Sequence, residues 1–253
     1  MGSLSGKVAV VTGASRGIGK GIALALASEG ATVYVTGRTV TPGSSPLPGT
    51  VGETAAQCNS RGGTGVAVQV DHGRDDQVAA LFERVEREQG RLDILVNNAF
   101  ALPDDLTQPK PFWEKPLSNW EMIDVGVRSN FVAAWHAARI MAPQKSGLVV
   151  AISGYTGVAY TYSVVFGTSK SAVDRMARDM AIELKPYHVA SISLWQGLTL
   201  TELARRNLAT IPGLKDGAAT QPKDACSPEF PGRVMSCWTR PRHGPKPAAR
   251  RAS

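Results

Sequence analysis

An apolar run near the start of the chain ends in three closely spaced glycines. Val8–Thr12 is typical of a β-strand, and Gly13, Gly17 and Gly19 follow it as the apolar spacing becomes helical. Such a turn brings backbone N–H groups and the positive end of a helix dipole to one point, where a pyrophosphate binds. Glycine is needed because the backbone must approach the phosphates closely. The sequence predicts a phosphate site formed by Gly13, Ser15, Arg16, Gly17, Ile18 and Gly19.

Five more apolar runs follow, and most precede a stretch in which apolar residues have helical spacing. Strands that alternate with helices form a parallel sheet covered by helices on both faces. We therefore expect an α/β fold, a Rossmann-type doubly wound parallel sheet in a single domain, with ligands at the carboxyl ends of the strands. The five runs are Thr32–Thr36, Gly65–Val70, Leu92–Val96, Leu148–Ile152 and Val189–Leu194.

The composition changes near residue 214. Residues 215–253 contain eight Lys or Arg against three acidic residues, so most of the net charge of +7 lies there, together with six prolines. A segment of this composition buries little apolar surface. The sequence predicts one domain at 1–214 and an irregular, basic, Pro-rich and partly disordered tail at 215–253. Because the tail lacks interleaved aromatic residues, we do not expect a nucleic-acid partner.

The three cysteines, Cys58, Cys226 and Cys237, are odd in number and widely spaced. This pattern favours neither a disulfide framework nor a metal site. The first residues lack the pattern of a signal peptide, and there is no run of about 18 apolar residues. We expect a cytoplasmic protein without membrane contact and without a bound metal.

Further motifs follow the glycines in a fixed order. Asp71 follows the third apolar run, Asn97-Asn98-Ala99 follows the fourth, Ser153 follows the fifth, and Lys170 lies in the next helical stretch. With the glycines, they resemble the short-chain dehydrogenase/reductase family from about residue 7 to residue 202. The residues after the second and fourth runs are similar to one subgroup of it. The resemblance implies hydride transfer between a nicotinamide cofactor and a small-molecule carbonyl or secondary alcohol.

The end of the second apolar run bears on the choice between NAD and NADP. An NAD site normally has a carboxylate about 20 residues after the glycines, where it accepts a hydrogen bond from the ribose 2′-OH. Thr36-Gly37-Arg38-Thr39 contains no acid here, and Arg38 and Arg16 offer two guanidinium groups for a 2′-phosphate. We therefore expect NADP, with NAD less favoured. The alternative is that both arginines are ordinary surface residues.

The resemblance also assigns Asp71 and Asn97. It implies that Asp71 accepts a hydrogen bond from the adenine amino group, and that Asn97 lies beside the cofactor ribose while it stabilises the central strand. Asp71 has a second interpretation, because Asp is common as the cap of a helix such as the one expected to start near Arg74.

The catalytic motif departs from the family. The resemblance implies a Tyr four residues before Lys170, where this chain has Phe166. In the family the Lys lowers the pKa of that Tyr, which exchanges a proton with the substrate oxygen while a Ser hydroxyl holds it. Ser153 is the Ser when positions are counted back from residue 166, and Gly154 takes its place when the strand is aligned. The expected catalytic residues are Ser153, Phe166 and Lys170, with impaired proton transfer because a phenyl ring has no proton to give.

Other positions at the same end of the site also differ from the family. A helix Asn that supports a water chain to the Lys corresponds to Gly126, with Asn130 one helical turn later as a substitute. The Pro-Gly pair after the sixth strand is Gln196-Gly197 here. Nearby tyrosines that could supply the missing proton are Tyr155, Tyr160 and Tyr162, although none lies one helical turn before Lys170.

Two functions therefore follow from the sequence. The first is an NADP-dependent oxidoreductase with weak or absent proton transfer, and the alternative is a catalytically silent NADP-binding protein of the same fold. The resemblance further implies a seventh strand that helps a homo-oligomer to pack. Ser227–Met235 resembles the helix before that strand, but it contains Pro231 and no strand pattern follows. We expect the last strand to be missing or altered.

Overall fold

The computed structural model describes residues 2–197 and 199–206. The strands in this part of the chain are β1 (Val8–Val11), β2 (Thr32–Gly37), β3 (Thr64–Gln69), β4 (Ile94–Asn97), β5 (Gly147–Ser153) and β6 (Val189–Trp195). All neighbouring strands pair in parallel, in the order β3-β2-β1-β4-β5-β6. The chain leaves β1 in one direction and returns past it to β4, which confirms the doubly wound sheet.

Helices connect these strands and cover both faces of the sheet. They are α1 (Gly17–Ser28), α2 (Val51–Ser60), α3 (Asp75–Gln89), α4 (Glu121–Ile123), α5 (Ser129–Gln144), α6 (Val164–Leu184) and α7 (Glu202–Arg206). A π-helical turn, Asp124–Arg128, joins α4 to α5. Short 3-10 helices lie at Phe112–Glu114, Leu117–Trp120, Tyr155–Gly157 and Lys185–Tyr187.

The apolar core consists of two main layers, one on each face of the sheet. Successive side chains of β1 alternate between them: Ala9 and Val11 belong to the layer under α1 and α2, and Val8 and Val10 to the layer under α3 and α5. Because both faces are buried, such strands need continuous apolar runs rather than alternating ones. This explains why the runs were recognisable in the sequence.

Two helix boundaries shape the region around the site. A capping box starts α2, because Thr50 Oγ1 accepts a hydrogen bond from the Glu53 N–H while the Glu53 carboxylate accepts one from the Thr50 N–H. It thereby fixes the end of the Pro/Gly/Ser-rich insert at residues 41–49. At the end of α3, Gly90 has φ 63°, a left-handed conformation that ends the helix.

The domain boundary at residue 214, the basic tail and the altered last strand lie outside the described residues. Within residues 2–197 and 199–206, no helix is long and apolar enough to cross a membrane. The same residues contain no group of three or more His, Cys, Asp or Glu that could hold a metal ion.

Candidate functional site

A cleft of about 650 Å³ lies at the carboxyl ends of the strands. The glycine turn, the loops after β2 and β4, and the residues around α7 form its walls. Its size is in the range of small-molecule and cofactor sites, about 300–1,000 Å³. The expected site residues that line it are Gly13, Ser15, Arg16, Gly17, Ile18, Arg38, Asp71, Phe166 and Lys170. Gly19, Asn97 and Ser153 are not among the residues that line this cleft.

The glycines of the turn serve two purposes. Gly13 has φ +64°, and a Cβ on it would lie 2.9 Å from the Ala99 Cα. A Cβ on Gly19 would lie 2.4 Å from Asn98 Nδ2, which donates hydrogen bonds to the Thr12 and Gly13 carbonyls. Gly19 therefore allows α1 to pack against the residues after β4 and does not itself face the cleft. No pattern in the sequence indicated this use of Asn98.

Arg16 holds the insert against the cleft. Its Nε donates to the Pro48 carbonyl at 3.0 Å, and its Nη2 donates to the Gly49 carbonyl at 2.8 Å and to Thr39 Oγ1 at 3.0 Å. Burial lowers the pKa of Arg16, and the positive charge of Arg38 lowers it further, while Glu202 raises it. The insert thus forms a wall of the cleft, which was not apparent from its composition. Among the described residues, none accepts a hydrogen bond from Nη1 of Arg16, so this group can bind a ligand.

Asp71 and the neighbouring His72 lie at the end of the cleft next to Arg38. The Asp71 carboxylate accepts a hydrogen bond from the Gly73 N–H at 3.0 Å, and the N-cap of α3 is Arg74, whose side chain makes no cap hydrogen bond. Asp71 therefore does not cap α3. His72 Nε2 lies 2.9 Å from Thr36 Oγ1, and burial lowers the pKa of His72 to about 4. The sequence analysis missed His72, whose ring is neutral near pH 7.

Lys170 lies at the opposite end of the cleft, and its side chain is buried. Nζ donates to the Ile152 carbonyl at 3.2 Å and lies 4.1 Å from the centre of the Phe100 ring. Burial lowers the pKa of Lys170 to about 8, although the Asp174 carboxylate raises it. Lys170 is therefore not an ordinary surface lysine, since its side chain is buried next to aromatic rings at this end of the cleft.

Phe166 lies one helical turn before Lys170 and contributes its ring to the cleft. The ring packs edge-on against Phe100 and Tyr162, and its centre is 5.8 Å from Lys170 Nζ. Tyr162 is the tyrosine nearest in space to this ring among the three considered, but it does not line the cleft. Tyr155 and Tyr160 are exposed, at 66% and 75%.

Ser153 is placed differently from the catalytic Ser of our expectation. It is 1% exposed, and its Oγ donates to the Lys170 carbonyl at 3.4 Å, which ties the end of β5 to α6. Its hydroxyl is therefore buried and does not line the cleft, and the catalytic role of Ser153 stays a prediction.

Two asparagines near the cleft are also buried. Asn97 Nδ2 donates to the Asn130 carbonyl at 2.9 Å, which joins β4 to the start of α5. Asn97 therefore has the strand-stabilising contact expected of it, but it does not line the cleft. The Oδ1 atoms of Asn97 and Asn130 have no hydrogen-bond partner among the described residues. Asn130 does not line the cleft either, so it does not directly replace the missing helix Asn.

Phe100 fills the space where that helix Asn would have its side chain. A Cβ on Gly126 would lie 2.3 Å from Phe100 Cε2 and 2.4 Å from Phe100 Cδ2. Gly126 belongs to the π-helical turn between α4 and α5. The absence of a side chain at residue 126 and the large ring at residue 100 are therefore one structural feature, in which an aromatic ring replaces a polar group near Lys170.

Gly126→Ala should destabilise the chain by about 1–3 kcal/mol, the usual cost of overpacking. The added methyl group would collide with the Phe100 ring. Urea denaturation of Gly126→Ala measures the effect, and Gly52→Ala is a matched control because a Cβ on that helical glycine meets only Thr50 Oγ1, at 3.9 Å. The double variant Phe100→Ala/Gly126→Ala should be more stable than the sum of the single effects. Equal stability of Gly126→Ala and Gly52→Ala would contradict this account.

The chain matches the family model described as short chain dehydrogenase over residues 7–211. It therefore belongs to the short-chain dehydrogenase family, as its motifs indicated. It is 43% identical over 228 residues to Dehydrogenase/reductase SDR family member 1 of Homo sapiens, covering 88% of this chain and 70% of that protein. This similarity agrees with the subgroup inferred from the residues after the second and fourth apolar runs.

Solved structures support the same fold. A short-chain type dehydrogenase/reductase from Mycobacterium marinum is 29% identical, with a TM-score of 0.77 over 94% of this chain and 89% of that one. A metagenomic short-chain oxidoreductase in complex with NADP is 26% identical, with a TM-score of 0.75 over 94% of this chain and 92% of that one.

Proposed function

We propose that this chain binds NADP and transfers hydride between its nicotinamide and a small-molecule carbonyl or secondary alcohol, with proton transfer impaired by Phe166. The main support for NADP as the cofactor is Arg38. It lines the cleft after β2, at the position where an NAD site would have a carboxylate. The solved relative in complex with NADP supports the same choice.

The walls of the cleft fit a dinucleotide along their whole length. Arg38 and Nη1 of Arg16 would bind the 2′-phosphate. The N–H groups at the start of α1 would bind the pyrophosphate, and Asp71 would accept a hydrogen bond from the adenine. At the other end, Gln196 lines the cleft, and its buried Oε1 atom has no partner among the described residues. It is an acceptor that the carboxamide of the nicotinamide would satisfy. An oriented polar group at each end is what recognition of this cofactor requires.

The chemistry divides into a hydride step and a proton step. Bound NADP supplies or accepts the hydride. The chain must exchange a proton with the substrate oxygen, and the side chain in the family's donor position, Phe166, has none to give. Lys170 lies 5.8 Å from the centre of that ring and provides positive charge that would stabilise negative charge on the substrate oxygen. Slow reduction of a carbonyl follows, because electrostatic stabilisation remains while general acid catalysis is lost.

The test of cofactor choice is a fluorescence titration with NADPH and with NADH. We expect NADPH to bind at least about tenfold more tightly, because a charge-assisted hydrogen bond contributes about 1.5–3 kcal/mol. Arg38→Gln should weaken NADPH binding by about tenfold and leave NADH unchanged, since NADH has no 2′-phosphate. Arg178→Gln, an exposed arginine on α6 outside the cleft, is the control. A preference for NADH in the parent chain would overturn the assignment of Arg38.

A second candidate function is a catalytically silent NADP-binding protein. The aromatic replacement of two polar positions favours it, because Phe100 occupies the space beside Gly126 and Phe166 stands in the proton-donor position. Both candidates predict cofactor binding, and they differ in whether any carbonyl is reduced by the parent chain. A homo-oligomer and a cytoplasmic location stay predictions.

A further inference from the structure

A carboxylate from a distant part of the chain lies at the glycine turn. Glu202 Oε2 accepts a hydrogen bond from the Gly17 N–H at 2.9 Å, although the two residues are 185 positions apart. Arg16, the N-cap of α1, makes no side-chain cap hydrogen bond, so Glu202 caps this 12-residue helix instead. The first N–H groups of a helix and its dipole favour an anion at this point. Glu202 therefore uses the same donor that a pyrophosphate would use.

The residues around Glu202 bridge the cleft. Thr201 Cγ2 lies 3.5 Å from where a Cβ on Gly17 would be, so this segment packs directly on the turn. At its other end, Arg206 Nη2 lies 3.3 Å from Asp104 Oδ1 in the loop after β4. We name residues 201–206 the strap, because they connect the glycine turn to that loop. Thr201, Glu202, Leu203 and Arg206 line the cleft.

We propose that Glu202 is an internal competitor of the cofactor pyrophosphate, and that the strap must release the glycine turn for a dinucleotide to bind. This inference rests on the proposed function, which supplies the dinucleotide. The Glu202 carboxylate and a pyrophosphate cannot both accept the hydrogen bond of the Gly17 N–H. Their negative charges would also repel each other at so short a separation. If the strap must open first, the apparent affinity for the cofactor equals the affinity of the open form multiplied by the fraction of molecules that are open. Glu202 thereby sets how readily the cleft accepts the cofactor.

Glu202→Gln tests the proposal, because the amide keeps the size of the side chain and removes its charge. We expect NADPH to bind the variant about tenfold more tightly than the parent in a fluorescence titration. Adenosine 2′-monophosphate carries no pyrophosphate and is affected by Glu202 only through the charge of Arg16, so its affinity should rise clearly less than that of NADPH. Glu183→Gln, an exposed residue on α6, removes the same charge away from the cleft and should leave both affinities unchanged.

A second variant checks the strap independently of the glycine turn. Arg206→Gln removes the contact with Asp104 and should also tighten NADPH, by about twofold or more, without removing the Glu202 carboxylate. Unchanged NADPH affinity in Glu202→Gln would overturn the competition. Equal tightening of NADPH and adenosine 2′-monophosphate would also overturn it, because the effect would then be general electrostatics. If neither the parent nor the variants bind either probe, the proposed function fails and the inference falls with it.

Discussion

Phe166→Tyr is expected to raise the rate of carbonyl reduction with NADPH by at least ~10²-fold, since a positioned general acid contributes about 10²–10⁴. The ring of Phe166 already lines the cleft one helical turn before Lys170. Lys170 Nζ lies 5.8 Å from the ring centre, and a positive charge near a phenol lowers its pKa. The new hydroxyl group would therefore supply the proton that the present site lacks. Steady-state assays on a panel of aldehydes and ketones measure the change.

Two controls separate this effect from a general one. Phe131→Tyr adds the same hydroxyl group on the exposed face of α5 and should leave the rate unchanged. Phe166→Tyr/Lys170→Met should lose most of the gain, because the phenol then has no cation beside it. A parent chain that is already fast would mean that another group donates the proton. No response to Phe166→Tyr, with NADPH binding intact, would favour the catalytically silent protein.

The Phe100 ring influences how large this gain can be. It packs against both the Phe166 ring and the Lys170 ammonium group, and it also occupies the space beside Gly126. Restoring the phenol therefore restores only one of the two polar positions that are aromatic here. The family's helix Asn cannot be restored unless the Phe100 ring moves, since a Cβ at residue 126 would overlap it. We expect Phe166→Tyr to recover proton donation but not a water chain to Lys170.

The sheet and the glycine turn were predictable because they depend on local sequence. Val8–Thr12 is apolar on both faces and is followed directly by glycines, so strand, turn and helix could each be recognised within about a dozen residues. The composition of the insert, rich in Pro, Gly and Ser, is likewise typical of a surface loop. Local patterns of this kind fix which elements form and in what order, and the parallel order then brings their carboxyl ends to one cleft.

The contacts that decide the site could not be predicted, because they join distant parts of the chain. Arg16 binds Pro48 and Gly49, which lie in the insert, and its composition gives no sign of the contact. Glu202 accepts a hydrogen bond from the Gly17 N–H although 185 positions separate the two residues in the sequence. Ser153 was assigned by spacing, and spacing does not reveal that its hydroxyl donates to the Lys170 carbonyl. The sequence indicates which residues are buried, but it does not indicate which distant residues become hydrogen-bond partners once the chain is folded.

Lys170→Met is expected to stabilise the chain at pH 7 by about 3 kcal/mol. Burial lowers the pKa of Lys170 from 10.5 to about 8, so holding its charge in the folded chain is unfavourable by about 1.4 kcal/mol per pKa unit. Methionine fills a similar volume without a charge. Urea denaturation of both chains gives the difference in the free energy of unfolding.

The pH dependence of that difference identifies its cause. Between pH 8 and 10.5 the unfolded parent chain keeps the Lys170 proton while the folded chain loses it, so the parent becomes more stable as pH rises through this range. Lys170→Met lacks this increase, and its advantage should therefore shrink toward zero by about pH 10.5. Lys110→Met, an exposed lysine, should show no such trend. An advantage that stays constant from pH 7 to 10.5 would mean that packing, and not the buried charge, causes the stabilisation.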